Sequence, residues 1–373
     1  MSNYRQCNRC VMDTSDPDIF FDDNGYCNHC NNYFDRISRR TYKSESSDKQ
    51  LQTLVEVIKH KGKRKRYDCV LGVSGGIDSS YAAYKLKQLG IRTLLVHMDN
   101  GWNSETSIEN IKSLADKLGF DYENVVLDWA TFSELQLSFL KASVPEIEIP
   151  TDIAIPAVLH KIASKYNIKH IISGGNFATE GILPKAWSYN AKDLTYLKHI
   201  QKTFGTKKIN RLQLFGWRDE LYYKLIRGIR IIYILNYMPF EKDMAMQVLE
   251  SELNWKYYGG KHYESKYTGF VQSYILPVKF NIDYRRATLS TTICSGEITR
   301  ENALEILKEL PYNIEKTQTE IEYVCKKLCI SITDFNEIMK QPPKLYRDYP
   351  NAEKKLEHIY NIYRKLFRKP NYR

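Results

Sequence analysis

Ser74-Gly75-Gly76-Ile77-Asp78-Ser79-Ser80 is the stretch whose residue types most directly imply chemistry. Gly75 and Gly76 let the backbone turn tightly and approach a ligand closely. Serine hydroxyls and the free N–H groups of a following helix would converge on one point, where the helix dipole favours an anion. An acidic residue in an anion-binding loop needs a cation beside it, so Asp78 points to Mg²⁺. The spacing fits neither the dinucleotide fingerprint nor the GxxxxGK[ST] loop.

A second group lies at the amino terminus. Cys7, Cys10, Cys27 and Cys30 form C-x2-C-x16-C-x2-C. Each Cys-x2-Cys knuckle sets two thiolates on one side of a turn, and two knuckles complete a tetrahedron for Zn²⁺. Four cysteines leave no coordination position for water, so the reading is a structural zinc ribbon rather than a catalytic metal. Two disulfides are the competing explanation, disfavoured in a cytoplasmic setting. His29 lies between two of the ligands and reads as a hydrogen-bonded residue. Cys325 and Cys329, four apart on an expected helix, read as core residues. The third group is charged. Lys261, His262, Glu264 and Lys266 follow Gly259-Gly260, and Arg285-Arg286 offer adjacent guanidinium groups suited to carboxylate or phosphate.

These groups need elements to hold them. The apolar run Cys69–Val73 reads as a buried strand feeding the glycine-rich loop. From Tyr67 strands at 68–73, 92–98, 123–128 and 169–173 alternate with helices at 79–89, 104–119, 131–143 and 152–166. That rhythm implies a parallel sheet with helices on both faces and ligands beyond the carboxyl ends of its strands. Asn24-Gly25 marks a hairpin within the ribbon. A helix near 51–61 leads into the sheet domain. Beyond about residue 180 the alternation stops and 185–260 reads as mostly helical. Thr299 reads as a helix N-cap, and 351–368 as a capped basic helix. The expected domains are 1–32 (ribbon), 33–66 (linker helix), 67–180 (α/β) and 181–373 (mainly helical, for substrate or partner).

The Ser74–Ser80 loop resembles the SGGxDS pyrophosphate loop of the N-type ATP pyrophosphatases. The fold implied is an adenine-nucleotide alpha-hydrolase-like (HUP, PP-loop) parallel sheet with flanking helices, and ATP is the ligand. By that resemblance Ser74, Gly75, Gly76, Asp78, Ser79 and Ser80 hold pyrophosphate, with Mg²⁺ on Asp78. Met98 and Asp99 would border the base, and Gly174, Gly175 and Asn176 would approach ribose or phosphates. Adding the ribbon, HMDNGWNSE, SGGNFATEG, WKYYGGKHYESKYT and DYRRATLST, the whole chain resembles the N-acetyl sugar amidotransferase family. Its members act in O-antigen, capsule and pseudaminic or legionaminic acid biosynthesis, converting an acetamido group of a nucleotide-activated sugar into an acetamidino group. The resemblance suggests that Lys261 neutralises phosphate charge, that His262 and Glu264 orient the amide or move a proton, and that Arg285 and Arg286 hold the sugar or its phosphates. It also implies a separate glutaminase with a cyclase-like subunit similar to those of imidazole glycerol phosphate synthase. That agrees with the lack of a recognisable glutaminase nucleophile, since the sequence opens Met1-Ser2.

Composition narrows the rest. The sequence has 373 residues, 43 % hydrophobic and 27 % charged, which suits two or three ordinary globular domains. No stretch reads as a signal peptide or membrane span, and the expected location is cytoplasmic. The net charge of +11 suits an anionic substrate, nucleic acid or a membrane surface. A tRNA thiolase of the same superfamily is therefore the main alternative. Nucleic acid is disfavoured because Cys69, Cys294, Cys325 and Cys329 form no Cys-x2-Cys pair. A non-catalytic nucleotide-binding scaffold is the third reading. A homo-oligomer is left open.

Overall fold

The computed structural model describes residues 4–40, 45–187, 189–259 and 263–366. Its centre is a five-stranded sheet: β1 (Cys69–Gly72), β2 (Thr93–Asp99), β3 (Asp121–Val126), β4 (His170–Ser173) and β5 (Arg230–Tyr233). Their order is β3-β2-β1-β4-β5, and each pairing is parallel. β1 lies at the middle, which is why its residues form an unbroken apolar run. Alternate residues serve opposite layers. Cys69 and Leu71 pack with helices Ile77–Gln88 and Glu105–Leu118 on one face. Val70 packs with Val158 and Ile162 of helix Ile149–Lys165 on the other.

The first four strands and their helices lie within a few residues of the expected positions. Local capping explains much of this. Ser104 accepts a hydrogen bond from Ser107 N–H, and Asp128 accepts one from Thr131 N–H. β5 is a correction, because 185–260 reads as mostly helical. Its four residues carry little pattern of their own, and most of them are exposed. The strand exists because β4 offers an open edge, pairing His170 with Arg230 and Ser173 with Tyr233.

Helix Glu45–Gly62 is longer than the expected 51–61, and its Ile58 is buried in the sheet's core layer. At its end Arg92 forms an ion pair with the buried Asp68 at 2.6 Å. Past β5 the chain is helical, ending in helices Arg300–Lys308, Ile314–Leu328, Ile332–Lys340 and Glu353–Leu366. Thr299 caps the first of these, as expected, by accepting from Asn302 N–H at 3.2 Å. The cysteine pair divides. Cys325 is buried, but Cys329 is exposed. It ends its helix with φ at 55°, so it turns away from the core that Cys325 enters.

The amino-terminal ribbon packs into the main core. Its four cysteines are fully buried among residues drawn from the sheet domain and the carboxyl-terminal helices. Helix Tyr284–Ser295 fastens it. Arg286 pairs with Asp13 at 2.8 Å and donates to the Val11 carbonyl at 3.1 Å. Arg300 donates to the carbonyls of Cys7 and Cys10 at 3.0–3.2 Å. Tyr33 then stacks on Phe177, just beyond β4, at 5.3 Å. Charge-assisted hydrogen bonds of this kind are worth about 1.5–3 kcal/mol each. Arg300→Met, which keeps the bulk, should therefore lower unfolding free energy by about 2–3 kcal/mol, measured by urea denaturation, and should expose the ribbon to limited proteolysis first.

Candidate functional site

β1 ends where the strand order reverses, between β1 and β4, the usual position for a ligand in an open parallel sheet. The loop 74–76 crosses this point and helix Ile77–Gln88 starts from it. Gly75 has φ at 82°, and a Cβ there would lie 2.5 Å from the Ser107 carbonyl oxygen. Ser74 and Ser79 brace the turn. Ser79 Oγ accepts from Ser74 N–H at 3.3 Å and donates to the Gly76 carbonyl at 3.2 Å, and Ser74 Oγ accepts from Gly76 N–H. The helix N-cap, Gly76, has no side chain to cap the first turn. The first turn's N–H groups have no acceptor within the helix, the feature by which helix N-termini attract anions. Ser80 Oγ is buried with no hydrogen-bond partner. Gly174 comes so close from β4 that a Cβ would lie 2.6 Å from Ser79 N. The cradle fits an oligophosphate held by backbone. Asp78 lies in the helix's first turn.

A strap from the carboxyl-terminal half covers the loop. At one end Trp255 Nε1 donates to the Gly75 carbonyl at 2.9 Å. Asn110 holds the same segment through Lys256 N–H and the Lys256 carbonyl, both at 2.8 Å. At the other end Ser104 N–H donates to the Glu264 carbonyl and Lys266 N–H to the Trp102 carbonyl. Between them Tyr258 brings its hydroxyl to 3.1 Å from where a Gly76 Cβ would be, and Glu264 Oε1 to 3.5 Å from it. Burial raises the Tyr258 pKa, and the charges of Glu264 and Asp78 add to this. Of the expected residues, Glu264 thus reaches the loop. Lys261 and His262 lie outside the described residues. Asn110 lies in no motif; Trp255 and Tyr258 belong to the WKYYGGKHYESKYT segment, for which the sequence suggests roles only at Lys261, His262 and Glu264.

The other strand ends organise the rim. Asp99 accepts from Gly101 N–H and from the Asn103 amide, each at 2.9 Å, and so shapes the turn after β2. Met98, on β2 itself, is half-buried. Lys327 donates to the Gly101 carbonyl at 2.7 Å and lies 4.2 Å from the Trp129 ring centroid. Burial lowers its pKa, while Asp99 opposes this. Beyond β4, Gly175 N–H donates to Ser173 Oγ. Asn176 Oδ1 caps the next helix at 2.9 Å, and its Nδ2 is buried without a partner.

The two arginines are a correction. Both lie on helix Tyr284–Ser295, but their guanidinium groups serve the fold. Arg285 pairs with Asp283 at 2.7 Å and donates to the Glu309 carbonyl, and Arg286 fastens the ribbon. The four ribbon thiols fit a closed tetrahedral Zn²⁺ site. Sulfur separations are 3.5 Å (Cys10–Cys27), 3.7 Å (Cys27–Cys30) and 3.8 Å (Cys7–Cys30). A tetrahedron with Zn–S bonds of ~2.3 Å has edges of ~3.8 Å. Backbone N–H groups of Arg9, Cys10 and Cys27 point at Cys7 Sγ, which favours the thiolate. His29 turns instead to Asp16 at 2.5 Å.

The approach of Gly174 gives a test. Gly174→Ala must push the Ser79 backbone out of place, so it should weaken ATP binding by about tenfold or more in calorimetry, while far-ultraviolet circular dichroism stays unchanged.

Comparisons with known proteins match two segments of the chain. Residues 66–179 match the thiamine biosynthesis protein ThiI, and residues 264–366 match the C-terminal domain of WbpG-like LPS biosynthesis proteins. A tRNA-specific 2-thiouridylase of Fusobacterium nucleatum is 32 % identical over 116 residues, 28 % of this chain and 32 % of its own. A tRNA(Ile)-lysidine synthase of Thermus thermophilus is 27 % identical over 106 residues, 28 % of this chain and 20 % of its own. The chain thus spans about a third or less of the length of these relatives. Among solved structures, NMN synthetase of Francisella tularensis shares 16 % identity at a TM-score of 0.30, covering 56 % of this chain and 93 % of its own. NH3-dependent NAD synthetase of Campylobacter jejuni shares 17 % at 0.29, covering 55 % and 84 %. The chain joins a ThiI-type PP-loop domain to a WbpG-like carboxyl-terminal domain, a pairing consistent with an N-acetyl sugar amidotransferase of the ATP pyrophosphatase superfamily.

Proposed function

We propose that the chain is the synthetase subunit of an ATP-dependent amidotransferase acting on a nucleotide-activated acetamido sugar. The observation that carries this reading is the strap: the phosphate cradle of one domain is closed by the segment leading into the WbpG-like domain. The acetamido oxygen attacks the α-phosphate of ATP and pyrophosphate leaves. Ammonia attacks the imidate carbon, AMP leaves with the former acetamido oxygen, and loss of a proton gives the acetamidino sugar.

The chain's task is to position groups and stabilise charge. The N–H groups of the helix's first turn hold the leaving pyrophosphate, with Asp78 carrying Mg²⁺, which would neutralise its charge. Lys261 adds positive charge from the strap. His262 and Glu264 orient the amide or accept its proton. The ribbon holds Zn²⁺ structurally. Ammonia comes from a separate glutaminase with its cyclase-like partner.

The tRNA thiolase reading is favoured by the thiouridylase relative and the charge of +11. Against it, Cys69, Cys294 and Cys325 are buried away from solvent and Cys329 stands alone at a helix end. No described helix is long and apolar enough to cross a membrane.

The chain incubated with ATP, Mg²⁺, ammonium and a panel of UDP- and CMP-linked acetamido sugars should release AMP and pyrophosphate. Mass spectrometry should find a sugar with one oxygen replaced by NH. Glutamine should not replace ammonium. Asp78→Asn should lower the rate at least about 100-fold. Turnover that requires tRNA and ignores every sugar would refute the reading.

A further inference from the structure

Two main-chain carbonyls of the turn after β2 are held from outside the sheet domain. Lys327 Nζ donates to the Gly101 carbonyl at 2.7 Å, and Lys266 N–H donates to the Trp102 carbonyl at 2.8 Å. Both lysines belong to the WbpG-like segment 264–366. Lys327 sits in the last turn of helix Ile314–Leu328, 226 positions from the carbonyl it bonds. Its ammonium also lies 4.2 Å from the Trp129 ring centroid and 5.2 Å from that of Trp102. Indole faces attract a cation through the ring quadrupole, so the two tryptophans hold Lys327 where it can donate.

The rings are themselves fixed. Trp102 is fully buried, stacks on Tyr267 at 4.7 Å and donates through Nε1 to Gln136 at 2.6 Å. Trp129 meets Trp102 edge to face at 5.3 Å and presses on Gly101, where a Cβ would lie 2.6 Å from Cε3. Gly101 is thus gripped from both sides. Its carbonyl accepts from Lys327, and its N–H donates to Asp99 Oδ1 at 2.9 Å. The same Asp99 oxygen accepts from the Asn103 amide, so one residue connects Lys327 to the carboxylate that ends β2.

This turn adjoins the phosphate loop. It leads into helix Glu105–Leu118, whose Ser107 carbonyl lies against Gly75. A nucleotide with its phosphates at Ser74–Ser80 therefore brings its nucleoside part to the carboxyl end of β2, beside Met98 and Asp99. Lys327 itself bonds the turn and its indoles, so any effect on the ligand passes through Gly101.

We propose that Lys327 is a positioning residue for the nucleotide: through Gly101 it fixes Asp99, and so makes affinity for the nucleoside part of ATP depend on the carboxyl-terminal domain. This rests on nucleotide binding at Ser74–Ser80 and on no particular acceptor.

The test compares two ligands on the full chain by calorimetry with Mg²⁺. ATP reaches both the loop and the turn, whereas inorganic pyrophosphate reaches the loop alone. Lys327→Met keeps the stem between the indoles and removes the ammonium. It should weaken ATP binding about tenfold and leave pyrophosphate binding within about twofold of wild type. Lys327→Arg keeps a cation that donates and stacks on indole, and should restore ATP binding to within about threefold. If Lys327→Met does not fold, Lys327→Gln allows the same comparison. Equal weakening of ATP and pyrophosphate, with a lowered melting temperature, would show a role in the fold alone and overturn the proposal. So would unchanged ATP affinity. A wild-type chain that binds neither ligand would overturn the nucleotide reading as well.

Discussion

The Gly75 carbonyl is the point on which the site depends. It accepts the Trp255 indole N–H from the carboxyl-terminal half, while Gly75 itself rests against the Ser107 backbone. Only glycine tolerates that position: its φ is 82° and a Cβ would collide with main chain. Fixing this one peptide sets the direction of the next N–H groups, and so the anion cradle. It also anchors the strap, so the shape of the loop and its closure by the second half of the molecule are one constraint.

The ribbon has a comparable role for the second half. Its knuckles bury four thiols that no apolar partner could satisfy, and their arrangement suits a Zn²⁺ ion. Arg300 and Arg286 then use the knuckle carbonyls and Asp13 as acceptors. The helix that Arg286 brings, Tyr284–Ser295, packs beside the turn after β4, where Ile182 N–H donates to Thr291 Oγ1 at 3.1 Å. The cysteine cluster therefore bears on the nucleotide side through packing. One basic residue that looks suited to an acidic ligand, Arg286, is consumed in making that contact.

Much of this was legible in local pattern. The apolar run of β1, the turn glycines and the Thr299 cap each state their geometry within a few residues. The cysteine spacing stated the tetrahedron. Where the reading failed, the deciding partner lay far away in sequence. β5 needed the edge of β4, and Arg286 needed Asp13 to reveal where its charge goes. Tyr258 and Asn110 belong to the site through contacts spanning 146 positions or more, which spacing cannot express.

The sequence by itself determined the phosphate loop, the four thiolates and the alternating sheet, because each rests on short-range backbone rules: a glycine turn, a knuckle, a period. Only the tertiary structure decided which side chains close the loop, which arginines are already paired and where buried donors are left without partners. Those outcomes depend on burial and on hydrogen-bond partners brought together from distant segments, and a linear pattern carries neither.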